Sequence, residues 1–127
     1  MSPRHVPATV TELSSVPLLA ELPGTRLTQL ATRMTREEHG PGTPIVREGE
    51  PGDRFYVLLS GMAQVVQREL GQRRVLSPGD TFGEVALAMD MPRTASVHAV
   101  TPVVVASCDR ETFDEFLRPL FAMEEDD

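Results

Sequence analysis

The sequence predicts a mainly β domain, a roll of short strands flanked by N- and C-terminal α-helices. Two observations carry that reading. Turn signals recur about every eight to twelve residues, at Gly42, Gly49 with Pro51-Gly52, Gly61, Gly71 and Pro78-Gly79, with short apolar runs between them. Apolar residues at helical spacing, by contrast, are confined to the two ends of the chain.

The elements follow in order. Residues 1–13 are polar and carry Pro3 and Pro7, so a loose N-terminal segment is expected there. The folded domain is expected over 14–121. Val16 to Leu22 is a short apolar lead, broken at Pro17 and stopped by Pro23-Gly24. Thr25 is the expected cap of a helix whose apolar face is Leu27, Leu30, Ala31 and Met34, and which ends at His39-Gly40-Pro41-Gly42. Strands are expected at 44–46, 55–59, 62–67, 74–76, 95–100 and 103–106. In the run Thr94 to Ala99 the alternation turns Ala95, Val97 and Ala99 inward and His98 outward. Asp109 is the expected cap of a last helix with Phe113, Phe116, Leu117 and Leu120 as its apolar stripe, shortened or bent at Pro119. An acidic tail, 122–127, closes the chain.

Charge narrows the function. The chain of 127 residues carries net charge −7, and all 12 basic residues are Arg with no Lys, which reads as a bias of genome composition. Nucleic-acid and anionic-lipid surfaces both need a basic footprint, so neither partner is expected. An anionic ligand must instead be caught by a few well-aimed donors. No segment approaches the ~18 continuous apolar residues of a membrane span. Cys108 is the sole cysteine and has no disulfide partner within the chain, in keeping with a reducing cytoplasm. His5, His39 and His98 are scattered, so no metal site is expected. A catalytic Ser/His/Asp set and a P-loop are also absent from the sequence.

One stretch stands out, FGEVALAMDMPRTAS over 82–96. Gly83 lets the backbone approach closely, and residues 84–89 are long enough for a short helix that Pro92 ends. The first N–H groups of such a helix are unpaired and attract an anion. Arg93 returns from the turn with a fork of donors suited to a phosphate. Glu84 beside that site would repel an anion, but a carboxylate accepts strongly from a hydroxyl. A ribose phosphate reconciles the two.

The stretch resembles the phosphate-binding cassette of cyclic nucleotide-binding domains, F-G-E-x-A-L followed by P-R-[TSA]-A-[ST]-V. Here it reads Phe82-Gly83-Glu84-Val85-Ala86-Leu87, then Pro92-Arg93-Thr94-Ala95-Ser96-Val97. VREGEPGDRFYVLLSGMAQVV (46–66) and VPLLAELP (16–23) are similar to other parts of that family, so the resemblance spans about 16–118. It implies a double-stranded β-helix or jelly-roll β-roll. It further implies a non-catalytic sensor of cAMP or cGMP, with no cofactor, controlling a fused or partner effector protein; pairing into a homodimer is left open by the sequence. Arg93 would pair with the cyclic phosphate and Glu84 with the ribose 2′-hydroxyl, with the backbone of Gly83 nearby. Ala86 and Thr94 would offer backbone N–H groups, Val85 would line sugar and base, and Ala95 completes the set. A Thr94 hydroxyl permits guanine without excluding adenine. Phe121 and Met123 are the groups left to cap the base. A bacterial, cytoplasmic source is expected. The rival reading is a scaffold or interaction module that keeps the β-roll and binds no nucleotide.

Overall fold

Strand pairing is set by which residues can be buried on two faces at once. The computed structural model describes residues 6–89 and 91–125. Helix α1 (Val10–Ser14), a 3-10 turn (Leu19–Glu21) and α2 (Gly24–Arg33) precede the strands. Then come β1 (Thr35–His39), β2 (Pro44–Val46), β3 (Arg54–Ser60), β4 (Ala63–Gln67), β5 (Gly71–Leu76) and β6 (Thr81–Phe82). Helix α3 (Glu84–Met89) interrupts them before β7 (Ser96–Ala99) and β8 (Val103–Asp109). The chain closes with α4 (Arg110–Thr112), a π-helical stretch (Phe113–Leu117) and α5 (Arg118–Glu125).

The strands form two four-stranded antiparallel sheets, ordered β1-β8-β3-β6 and β2-β7-β4-β5. The chain crosses repeatedly from one sheet to the other, which is the wrapping of a jelly-roll β-roll. The first sheet is covered on both faces. Phe55, Val57, Ala106 and Cys108 face a helical layer built from Leu13, Leu30, Met34, Phe113 and Leu117. Tyr56, Leu58, Val103 and Val105 face the inside of the roll, against Ala63, Leu76, Phe82, Val97 and Ala99. Burial on both faces is why 55–59 reads as an unbroken apolar run without alternation. Strand β7, by contrast, keeps the predicted alternation, with Val97 and Ala99 buried and Ser96 and His98 half-buried.

Several expectations are corrected. The lead is ordered from residue 6 onward: Thr9 and Glu12 form a reciprocal capping box on α1, Pro7 bridges to Thr35, and Leu13 is fully buried. Residues 1–5 lie outside the described residues. Helix α2 starts at Gly24 with Pro23 at the cap position, not Thr25, and stops at Arg33. Met34 is extended (φ −94, ψ 142), and Thr35–His39 becomes an edge strand paired to β8 along its whole length. Strand β6 is likewise an addition to the expected set. Asp109 does cap the last helical run, accepting from the Thr112 N–H. Pro119 does not shorten that run, which continues through it to Glu125. A proline at 119 cannot donate to the Glu115 carbonyl, and the Arg26 side chain donates there instead, at 3.4 Å. Of the acidic tail, residues 126–127 lie outside the described residues, and the backbone of 122–125 continues α5.

Candidate functional site

The site is built where the roll opens between β6, α3 and β7. Strand β6 pairs with Tyr56 and Val57 of β3 and lays the Phe82 ring flat on Tyr56, centroids 4.9 Å apart. Gly83 follows with φ +97, and a Cβ there would fall 2.8 Å from both the Arg54 carbonyl oxygen and Arg93 Nη1. Only glycine meets both demands. Helix α3 then buries Ala86 and Leu87 and exposes Val85 and Met89.

Arg93 is pinned through its backbone and its side chain together. Its N–H donates to the Glu50 carbonyl and its carbonyl accepts from Gly49, each at 2.9 Å. The side chain is 7% exposed. Nη1 donates to the Gly83 carbonyl at 3.2 Å and Nη2 to the Arg54 carbonyl at 2.9 Å. Its guanidinium carbon lies 5.8 Å from the centre of the Tyr56 ring. Gly52 is part of the same packing, because a Cβ there would come within 2.2 Å of the Ala86 Cβ and 3.0 Å of the Arg93 guanidinium carbon. Burial lowers the pKa of Arg93, opposed by Tyr56, Asp53 and Glu84. A guanidinium keeps its charge at any physiological pH regardless. Its charge is therefore held by neutral carbonyls in a partly desolvated place.

Glu84 stands across from it. Its Oε2 is buried and has no hydrogen-bond partner, the sole side-chain atom in that condition among the described residues. Such an atom is costly unless something donates to it.

Between these groups lies a cleft of about 180 Å³. Each of the residues named from the sequence lines it: Gly83, Glu84, Val85, Ala86, Arg93, Thr94 and Ala95. The rest of the wall is Val46, Val65, Phe82, Val97 and Arg74. Phe82 and Val97 belong to the cassette but are not among the expected ligand residues, whereas Val46, Val65 and Arg74 were missed because strand register brings them here. The pairing of Val65 with Arg74 across the β4–β5 hairpin is what places Arg74 on the cleft. The cleft thus joins Arg93 and a spare acceptor to a wall of valines, with Arg74 beside Val65. It suits a ligand that is anionic at one end, hydroxylated nearby and flat and apolar at the other.

Two groups lie elsewhere. Phe121 packs on Phe55 and Phe113, with centroids 6.1 and 5.8 Å away, and so belongs to the helical layer and not to the cleft. The Met123 side chain is outside what is described. Cys108 is fully buried, and burial pushes its thiol up to about 12, so it is inert as a nucleophile.

A family model described as cyclic nucleotide-binding domain matches residues 36–119. The chain belongs to the cyclic nucleotide-binding domain family. The cAMP-dependent protein kinase regulatory subunit of Yarrowia lipolytica is 41% identical over 109 residues, 85% of this chain and 29% of that protein. The cGMP-dependent protein kinase egl-4 of Caenorhabditis briggsae is 38% identical over 120 residues, 90% of this chain and 16% of that protein. Among solved structures, the regulatory subunit of a cAMP-independent protein kinase A from Trypanosoma brucei superposes with a TM-score of 0.86 at 30% identity. That match covers 91% of this chain and 43% of the other. The chain therefore spans under a third of the curated relatives it matches. All three are eukaryotic, so the bacterial source expected from the sequence finds no support in them. Among the described residues of this family member, no helix is long and apolar enough to cross a membrane.

Proposed function

We propose that this domain binds a purine 3′,5′-cyclic nucleotide, does no chemistry on it, and regulates a protein kinase that is fused to it or bound by it. One observation carries the reading: Arg93, whose buried guanidinium is held by neutral carbonyls, lines the same cleft as Glu84, which has a buried carboxylate oxygen with no donor. The cyclic phosphate goes to Arg93 and to the backbone amides of Ala86 in α3 and of Thr94 in the loop after Pro92. The ribose 2′-hydroxyl donates to Glu84. Gly83 keeps the backbone close, Val85 and Ala95 flank the ligand, and Val46, Val65 and Val97 meet the base. The names of the relatives supply both cAMP and cGMP, and Thr94 accommodates either base.

The output runs through α3. Leu87 sits in the helical layer, and its carbonyl accepts from Arg110 Nη1 at 3.1 Å and Arg118 Nη2 at 3.4 Å. A ligand that prefers one placement of α3 therefore biases the C-terminal helices as well, by shifting populations. A cytoplasmic location accords with this role.

Melting the domain with a panel of cyclic mononucleotides tests the proposal. A ligand at 100 times its dissociation constant adds about 2.7 kcal/mol of stability. The second reading, a β-roll module that ignores cyclic nucleotides, draws its support from the cAMP-independent relative. It predicts an unchanged melt across the whole panel.

A further inference from the structure

A polar network inside the first sheet ends at the anion-binding arginine. Arg54 opens β3, straight after an irregular loop, and its carbonyl accepts from Arg93 Nη2 at 2.9 Å. The Arg54 side chain reaches the opposite way, donating through Nε and Nη2 to Ser107 Oγ on β8, at 3.1 and 2.9 Å. Ser107 is fully buried, and its hydroxyl donates to Glu37 Oε2 on β1. The other oxygen of Glu37 faces His39 Nε2 at 3.2 Å. A hydroxyl has one hydrogen and two lone pairs. With the hydrogen committed to Glu37, both lone pairs turn to Arg54, so Ser107 has a single orientation. Pairing of Tyr56 with Ser107 and of Glu37 with Val105 puts these groups on the roll-facing side of the sheet, beside the Tyr56–Phe82 stack.

We infer that Ser107, held by Glu37, is a positioning residue for anion recognition: by clamping the Arg54 side chain it fixes the Arg54 carbonyl, which in turn aims the Arg93 guanidinium. The inference rests on the cyclic-nucleotide reading above. Preorganised donors bind an anion without first being ordered, and loosening one link is felt at the last.

The test uses Ser107→Ala, with Arg54→Met as the second variant should the first fail to fold. Each is titrated with cAMP and with adenosine, which lacks the phosphate. The expected result is a loss of about tenfold in cAMP affinity with adenosine binding unchanged. In an Arg93→Ala background, Ser107→Ala then brings no further loss. An equal loss for cAMP and adenosine overturns the inference, as does a loss that adds in full to that of Arg93→Ala. A ligand-free readout separates it from the functional reading: slow rotation of the Arg93 guanidinium by NMR, present in the wild type and lost in Ser107→Ala. Should the wild type bind no cyclic nucleotide yet show that loss, the functional reading fails and the positioning stands. Should the guanidinium keep its slow rotation in Ser107→Ala, the positioning fails whatever the ligand does.

Discussion

In the proposed function Glu84 and Arg93 divide the ligand between them, and each can be tested separately. Glu84 Oε2 is buried without a donor, so a ligand hydroxyl brought within reach of it would satisfy it. Glu84→Ala is expected to weaken a cyclic ribonucleotide by about 1–3 kcal/mol, the cost of one charged hydrogen bond. The 2′-deoxy analogue should bind wild type and variant equally well. Equal losses for both analogues would make Glu84 a structural residue. Arg93 differs because its own bonds also hold Gly83 and the start of β3. A lysine there would keep the charge but could not reach both carbonyls with a planar fork.

At the scale of elements, two short segments frame the helical layer on which α3 rests. Asp109 accepts from the Thr112 N–H, and that backbone bond is the main cause holding its carboxyl below the ordinary value of 3.8. A lowered folded pKa means the contribution is fully present above 3.8 and is lost as the pH falls through the lower, folded value. Asp109→Ala should therefore cost about 1 kcal/mol at neutral pH by chemical denaturation, a gap that narrows as the solution is acidified. Leu13 in α1 is fully buried, so Leu13→Ala should lower stability by about 2–5 kcal/mol. A change near zero would mean that α1 is not docked.

These elements also show what local sequence carries. The capping box Thr9-x-x-Glu12 is written in the sequence, and both Pro3 and Pro7 precede the cap, so neither prevents the helix. Strand β1 was not legible. Its residues, TREEH, are polar, and the helical spacing that ends at Met34 runs straight into it. Pairing with β8 on one edge and contact with Val6 and Pro7 on the other decide its form. The cassette was legible because its Gly, Glu, Pro and Arg each meet a local demand at close spacing. Arg74 and Ser107 were not, since their roles depend on strand registers that join distant residues.

For the whole molecule, β3 and β8 are the shared wall between the inside of the roll and the helical layer. Their alternate residues serve the two sides, Tyr56 and Val105 the roll, Phe55 and Cys108 the helices. Helix α3 spans both, with Ala86 on the cleft and Leu87 in the helical layer. In the proposed function, α3 is therefore the element through which occupancy would bias helix packing. Capture of a cyclic nucleotide by Arg93 is the central claim, and titration calorimetry of cAMP and cGMP into the wild type and Arg93→Ala tests it most directly. The account predicts saturable one-to-one binding of at least one nucleotide by the wild type, weakened by about 2–5 kcal/mol in the variant. Absence of binding by the wild type, or the same affinity in both proteins, would contradict it.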